Sequence, residues 1–127
     1  MARIHDVVID CRHSASTARF YAAILDGYEV APYDAAELDR LRGLGIYDTE
    51  DDPTVMVEAA GVRPRLFFQA VPEPRTGKNR VHLDLHCDDI DAEVHRATGL
   101  GATVLARHEG WITMADPEGN EFCFTRS

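Results

Sequence analysis

Asp6-Val-Val-Ile-Asp-Cys11 and His82-Leu-Asp-Leu-His-Cys87 are two versions of one pattern. Each alternates apolar and polar side chains and ends in cysteine, and alternation at period two marks a strand with one buried and one open face. In the first copy Val7, Ile9 and Cys11 share a face, with Asp6, Val8 and Asp10 on the other. In the second, Val81, Leu83, Leu85 and Cys87 oppose His82, Asp84 and His86. A helical stretch follows each copy, and then Gly27-Tyr-Glu-Val30 or Gly101-Ala-Thr-Val104. The cysteines stand 76 residues apart and the glycines 74, so two modules of similar length fill the chain. Such a repeat suggests a cavity between related halves, with the chemistry at equivalent polar positions.

The intervening residues complete each module. Ser14 or Ser16 can cap a helix carrying Phe20, Ala23 and Ile24 on one side, with Gly27 as its stop. Residues 28–31 read as a short strand. The acidic stretch 34–53 reads as a solvated excursion with a helical turn near 36–41. Strands are predicted over 54–59 and 65–71, separated by the turn Gly61-Val-Arg-Pro64. Pro72-Glu-Pro-Arg-Thr-Gly-Lys-Asn79 is linker in composition. In the second half Asp88 or Asp89 caps a helix with Ile90, Val94 and Ala97 inward, and Asp91 and Glu93 lie near its positive end. Strands over 102–107, 111–115 and 121–125 follow, the last after the turn Asp116-Pro-Glu-Gly-Asn120. The sum is βαβββ twice in an α+β domain spanning 1–127: module one 1–72, linker 72–80, module two 81–127.

Composition bounds the function. The chain has 127 residues, enough for one domain with a substantial core. No apolar run approaches the roughly 20 residues that span a bilayer, and Met1-Ala-Arg-Ile4 lacks the apolar core of a signal peptide. Three cysteines, two of them in strand patterns, point to reduced thiols and a cytoplasmic location. The net charge of −9 argues against nucleic acid and anionic membranes as partners and is compatible with a cationic ligand.

Several motifs carry a family resemblance. They are Ala18-Arg-Phe-Tyr21 with Leu25-Asp-Gly27, Phe68-Gln69 with Val71-Pro-Glu-Pro74, Gly77-Lys-Asn-Arg-Val-His-Leu-Asp84, Asp88-Asp89, Gly101-Ala102, and Asp116-Pro-Glu-Gly-Asn-Glu-Phe122. The chain resembles the vicinal oxygen chelate superfamily, and within it the glyoxalase-like branch. That superfamily includes glyoxalase I, extradiol dioxygenases, fosfomycin-resistance enzymes and bleomycin-binding proteins. The resemblance implies two βαβββ modules forming a U-shaped, mixed eight-stranded sheet around a cavity, and pairing as a homodimer. An exposed sheet edge gives dimerisation a physical reason as well.

The metal enzymes of the superfamily take one ligand from the first strand and one from the last strand of each module. The corresponding residues here are Asp6, Gln69, His82 and Cys123. Only His82 matches the usual pattern, because glutamate is usual at the last-strand positions and Asp6 stands where the first module has histidine or glutamine; His5 is one place off. Carboxylate, imidazole and thiolate are zinc ligands, whereas an amide oxygen is a weak one. The expectation is a protein without a cofactor, with a divalent metal at those four residues as the alternative.

The remaining polar residues define a ligand-binding expectation. Asp6, Asp10, Asp84 and His86 join His82 on the open strand faces. Carboxylates beside an imidazole would orient it and raise its pKa, making His82 the residue to act as ligand contact or general base. Gln69 and Cys123 belong to the wall. Of the alternating pair Phe67 and Phe68, one packs under a helix and the other looks into the cavity, and Phe68 is assigned there. Trp111 is an aromatic wall residue. Two functions compete: a metal-independent protein that binds a small organic molecule, and a glyoxalase-like lyase or isomerase acting on a carbonyl compound through His82.

Overall fold

The computed structural model describes residues 1–126. The chain divides into two compact units, Met1–Pro74 and Arg75 onward, and the break falls inside the predicted linker. The first unit runs β1 (Asp6–Cys11), α1 (Ser14–Ile24), β2 (Glu29–Val30), α2 (Ala35–Gly43), a 3-10 turn (Thr49–Asp51), β3 (Thr54–Glu58) and β4 (Arg65–Ala70). The second runs β5 (Leu83–Cys87), α3 (Ile90–Gly99), β6 (Thr103–Arg107), β7 (Trp111–Ala115) and β8 (Glu121–Arg126). The eight strands are hydrogen-bonded as two four-stranded sheets, in the orders β1-β4-β3-β2 and β5-β8-β7-β6. In each, the first and last strands pair in parallel and the other neighbours antiparallel. The repeat read from the sequence is therefore a repeat of topology, and the fold is α+β with mixed sheets.

Each sheet buries one face under its helix. In the first unit Val55, Val57, Leu66 and Phe68 alternate inward and are almost fully buried, as are Ala18, Phe20, Tyr21 and Ile24 of α1. The Tyr21 ring stacks on Phe68 with centroids 5.0 Å apart, and Phe20 meets Tyr21 edge-on at 5.1 Å. Offset and edge-on pairs of this kind add to the stabilisation from burial itself. Phe68 is 0% exposed, which corrects its assignment to the cavity. It sits across from Val55 and Ile9, both inward residues, and the pleat places Phe67 on the opposite face. The second unit buries Ile90, Val94 and Ala97 of α3 together with Ile112, Met114, Phe122 and Phe124.

Local chemistry sets the ends of the elements. Asp89 caps α3 by accepting a hydrogen bond from the Ala92 N–H at 3.0 Å, one of the two alternatives read from the sequence. At α1 the expectation of a serine cap is corrected: His13 is the N-cap residue and makes no side-chain capping bond, while Ser14 is already helical. The Ser14 hydroxyl instead donates to the main-chain carbonyl of Asp52, a long-range tie that no local motif encodes. Gly27 and Gly101 adopt φ of +75° and +105°, and a β-carbon at Gly101 would lie 3.2 Å from Pro117 Cγ. Both the backbone conformation and the close approach favour glycine there.

The acidic stretch is more ordered than a solvated excursion. Asp34 caps α2 through the Glu37 N–H, Leu41 is 2% exposed, and Asp52 is 3% exposed. The cysteines ending the repeated strands play equivalent parts, Cys11 Sγ approaching the Gln69 carbonyl at 3.7 Å and Cys87 Sγ the Thr125 carbonyl at 3.8 Å. All three cysteines are free thiols. Among the described residues no helix is long and apolar enough to cross a membrane.

The face assignment of the two phenylalanines has a measurable consequence. Phe68→Ala should destabilise the protein by about 3–5 kcal/mol, the usual cost of emptying a buried aromatic site. Phe67→Ala should cost much less. Urea denaturation of the two variants checks this, and equal losses would contradict the assignment.

Candidate functional site

The open face of the second sheet carries two polar rows. The pairing of β5 with β8 and of β8 with β7 aligns Asp84, Cys123 and Thr113 across three strands. His82, one residue before β5, places Nε2 3.3 Å from Asp84 Oδ1. Donor atoms of His82, Asp84 and Cys123 all lie within 4.8 Å of one another. Thr113 Oγ1 stands 3.6 Å from Cys123 Sγ and completes the cluster. Cys123 is buried, whereas His82 and Asp84 are exposed, so the thiol lies at the bottom of a shallow polar patch.

One residue pair further along, His86, Thr125 and Trp111 form the second row. Trp111 is 43% exposed and stacks on His108 at 4.4 Å, so its ring is held by its own hairpin while keeping free surface. Among the described residues, Thr125 Oγ1 is the buried side-chain oxygen without a hydrogen-bond partner.

The open face of the first sheet is organised differently. Arg65, opposite Asp6 in the parallel pair, grips both carboxylate oxygens, with Nε 2.7 Å from Oδ1 and an Nη 3.1 Å from Oδ2. His5 Nδ1 adds a contact to Oδ2 at 3.0 Å. The Arg65 hydrogen bond, with a smaller contribution from His5, holds the Asp6 pKa at about 2. The guanidinium also lies 5.4 Å from the Phe67 ring centroid, within range of a cation–π contact. Asp10 and Gln69 stand opposite each other farther along the same pair of strands.

Beside this face is a cavity of about 740 Å³, within the range of small-molecule pockets. Phe67, Met56 and Thr54 belong to the sheet side of its lining, and Tyr33, Glu37, Arg40 and Asp52 supply polar groups. The segment between β2 and β3 thus helps enclose a site, which its acidic composition alone did not signal.

The expected residues therefore separate. His82, Asp84 and Cys123 converge, with His86 and Trp111 in the adjacent row. Asp6 and Asp10 share the open face of β1, but Asp6 is engaged by a cation, and Phe68 lies beneath the sheet. Sequence reading missed Arg65, Tyr33, Asp52 and Glu121, and placed His5 one residue off the ligand position. Glu121 is 8% exposed and binds Lys78 at 3.1 Å, Arg75 at 3.5 Å and the Asn79 N–H at 2.9 Å. These contacts, led by the Asn79 N–H, hold its pKa below the usual range. Lys78, in the linker, thus serves an internal carboxylate.

The four residues aligned with the superfamily's metal ligands do not fit that role as a set. A metal at Asp6 would have to displace a bidentate guanidinium, and Gln69 offers only a neutral amide. The second unit instead brings together imidazole, carboxylate and thiol, with Asp84 supplying the carboxylate.

The Asp6 ion pair predicts part of the acid response. Its folded pKa lies below the ordinary value of 3.8, so its stabilising contribution is full above about that pH. The contribution is lost as pH falls toward about 2. Relative to Asp6→Asn, the native protein should hold an advantage in urea midpoint at pH 7 that shrinks across this window. A difference that stays constant down to pH 2 would contradict the pairing.

Comparison with known proteins places the architecture. The model of the glyoxalase-like domain matches residues 6–125. No functionally curated protein matches the sequence. A glyoxalase/bleomycin resistance protein/dioxygenase family enzyme from Burkholderia phytofirmans PsJN aligns with a TM-score of 0.67 and 18% identity, over 98% of each chain. A fosfomycin resistance protein from Mesorhizobium loti aligns with a TM-score of 0.68 and 12% identity, over 98% of this chain and 91% of that one. A lactoylglutathione lyase from Agrobacterium tumefaciens gives a TM-score of 0.59 and 15% identity, over 100% of this chain and 95% of that one. At these identities the structures share a fold, and fold does not fix reaction. With the family model covering nearly the whole chain, the chain belongs to the glyoxalase-like domain family.

Proposed function

We propose that this chain binds a small organic molecule without the help of a metal. The observation that carries the reading is the cavity of about 740 Å³ beside Phe67 and Met56. It combines apolar surface, which supplies affinity, with a few polar groups, which supply orientation. The engagement of Asp6 by Arg65 supports the metal-free part, because it supplies that carboxylate with an internal counter-ion.

A second reading rests on the convergence of His82, Asp84 and Cys123. In a lyase or isomerase acting on a carbonyl compound, the His82 imidazole, oriented by Asp84, would take a proton beside the carbonyl. If that cluster holds a metal, its mixture of nitrogen, oxygen and sulfur donors favours zinc over magnesium.

Two measurements separate these readings. Elemental analysis of untagged protein, before and after soaking with Zn²⁺, should find no stoichiometric metal. About one zinc per chain, lost in His82→Ala, would instead favour the lyase or isomerase. A thermal-shift screen with cationic, neutral and anionic small molecules should give ligands that raise the melting temperature, since binding to the native state stabilises it. Those shifts should disappear in Phe67→Ala and persist in His82→Ala. Shifts indifferent to Phe67 would sink the binding reading at this cavity.

A further inference from the structure

We infer that the cavity of the first unit selects organic amines, a proposal that rests on the small-molecule reading and names the ligand class. The decisive residue is Asp52, which is 3% exposed and lines the cavity. Its carboxylate accepts hydrogen bonds from the Tyr33 hydroxyl at 2.7 Å and from the Thr54 N–H at 3.0 Å. Both donors are neutral. No salt bridge among the described residues reaches it, and Arg40 on the same lining acts on it only through longer-range electrostatics. A buried carboxylate without a direct ion-pair partner is costly, and a cation that binds beside it recovers part of that cost.

The neighbouring charges point the same way. Arg40 also lines the cavity, but its guanidinium is committed to Glu37, at 2.6 Å and 3.0 Å. Glu37 and Asp34 bring further carboxylates to the lining. Phe67 and Met56 give the body of a ligand an apolar surface. The occupant that satisfies all of these is a flat apolar group bearing a protonated amine, with the ammonium directed to Asp52. Tyr33 remains a donor to that carboxylate, because burial and then the bond to Asp52 push its pKa up.

Three probes of nearly equal shape test the inference: tryptamine, the neutral alcohol tryptophol, and anionic indole-3-propionate. In calorimetric titrations tryptamine should bind at least about tenfold more tightly than either of the others, a preference of the size a desolvated charge pair can supply. Asp52→Asn should erase that preference, and Phe67→Ala should weaken every probe that binds. Two variants on the exposed helix keep the test decisive should Asp52→Asn fail to fold. Arg40→Gln removes a competing cation and should tighten tryptamine binding several-fold. Glu37→Gln releases Arg40 toward Asp52 and should weaken it by a similar factor. Equal binding of all three probes, or preference for indole-3-propionate, overturns the amine inference and leaves the binding reading standing. No binding by any of the three also overturns it, and the binding reading is then decided by the wider thermal-shift screen with Phe67→Ala.

Discussion

The parallel pairing of the first and last strand in each unit is the constraint on which the rest depends. Parallel neighbours cannot be joined by a tight turn, so a long connection is required, and here it contains a helix and further strands. That connection covers one face of the sheet and leaves the other open. The same pairing sets which side chains meet on the open face: Arg65 beside Asp6 in the first unit, Cys123 beside Asp84 in the second. Equivalent topology thus yields two chemically different centres, one an internal salt bridge and the other a cluster of metal-competent donors.

Much of the architecture was legible because it depends on local pattern. Period-two alternation located β1 and β5, the Asp116 turn preceded the last strand, and the glycine pair marked the helix exits. Asp116 bears out the turn by accepting hydrogen bonds from the Glu118 and Asn120 N–H groups. The grouping of His82 with Cys123 was expected from the family resemblance, although the strand registers make Thr125, and not Cys123, the counterpart of Gln69. What the sequence could not supply was register between distant strands. Arg65 lies 59 residues from Asp6, and a shift of one residue in that pairing would turn its side chain away. Phe67 and Phe68 pose the same problem in miniature, since alternation separates the two without saying which is inward.

The acidic segment shows a different limit. Its composition describes an exposed region, and most of its carboxylates are exposed. Asp52 is the exception, enclosed by a tyrosine from the preceding loop and a serine from α1. Burial of one charged residue in such a run comes from tertiary contacts and leaves no trace in composition. That exception distinguishes a solvated stretch from the wall of a cavity.

The Arg65–Asp6 bridge also bears on how the first sheet responds to its surroundings. A metal-bridged strand pair exchanges its cation with the medium, and its integrity follows metal supply and chelation. Here the positive charge is covalently part of the neighbouring strand and is present as soon as β1 and β4 align. The price of this permanence is that Asp6 is given up as an exchangeable ligand site. Asp6 therefore has a counter-charge that no ion from the medium has to supply.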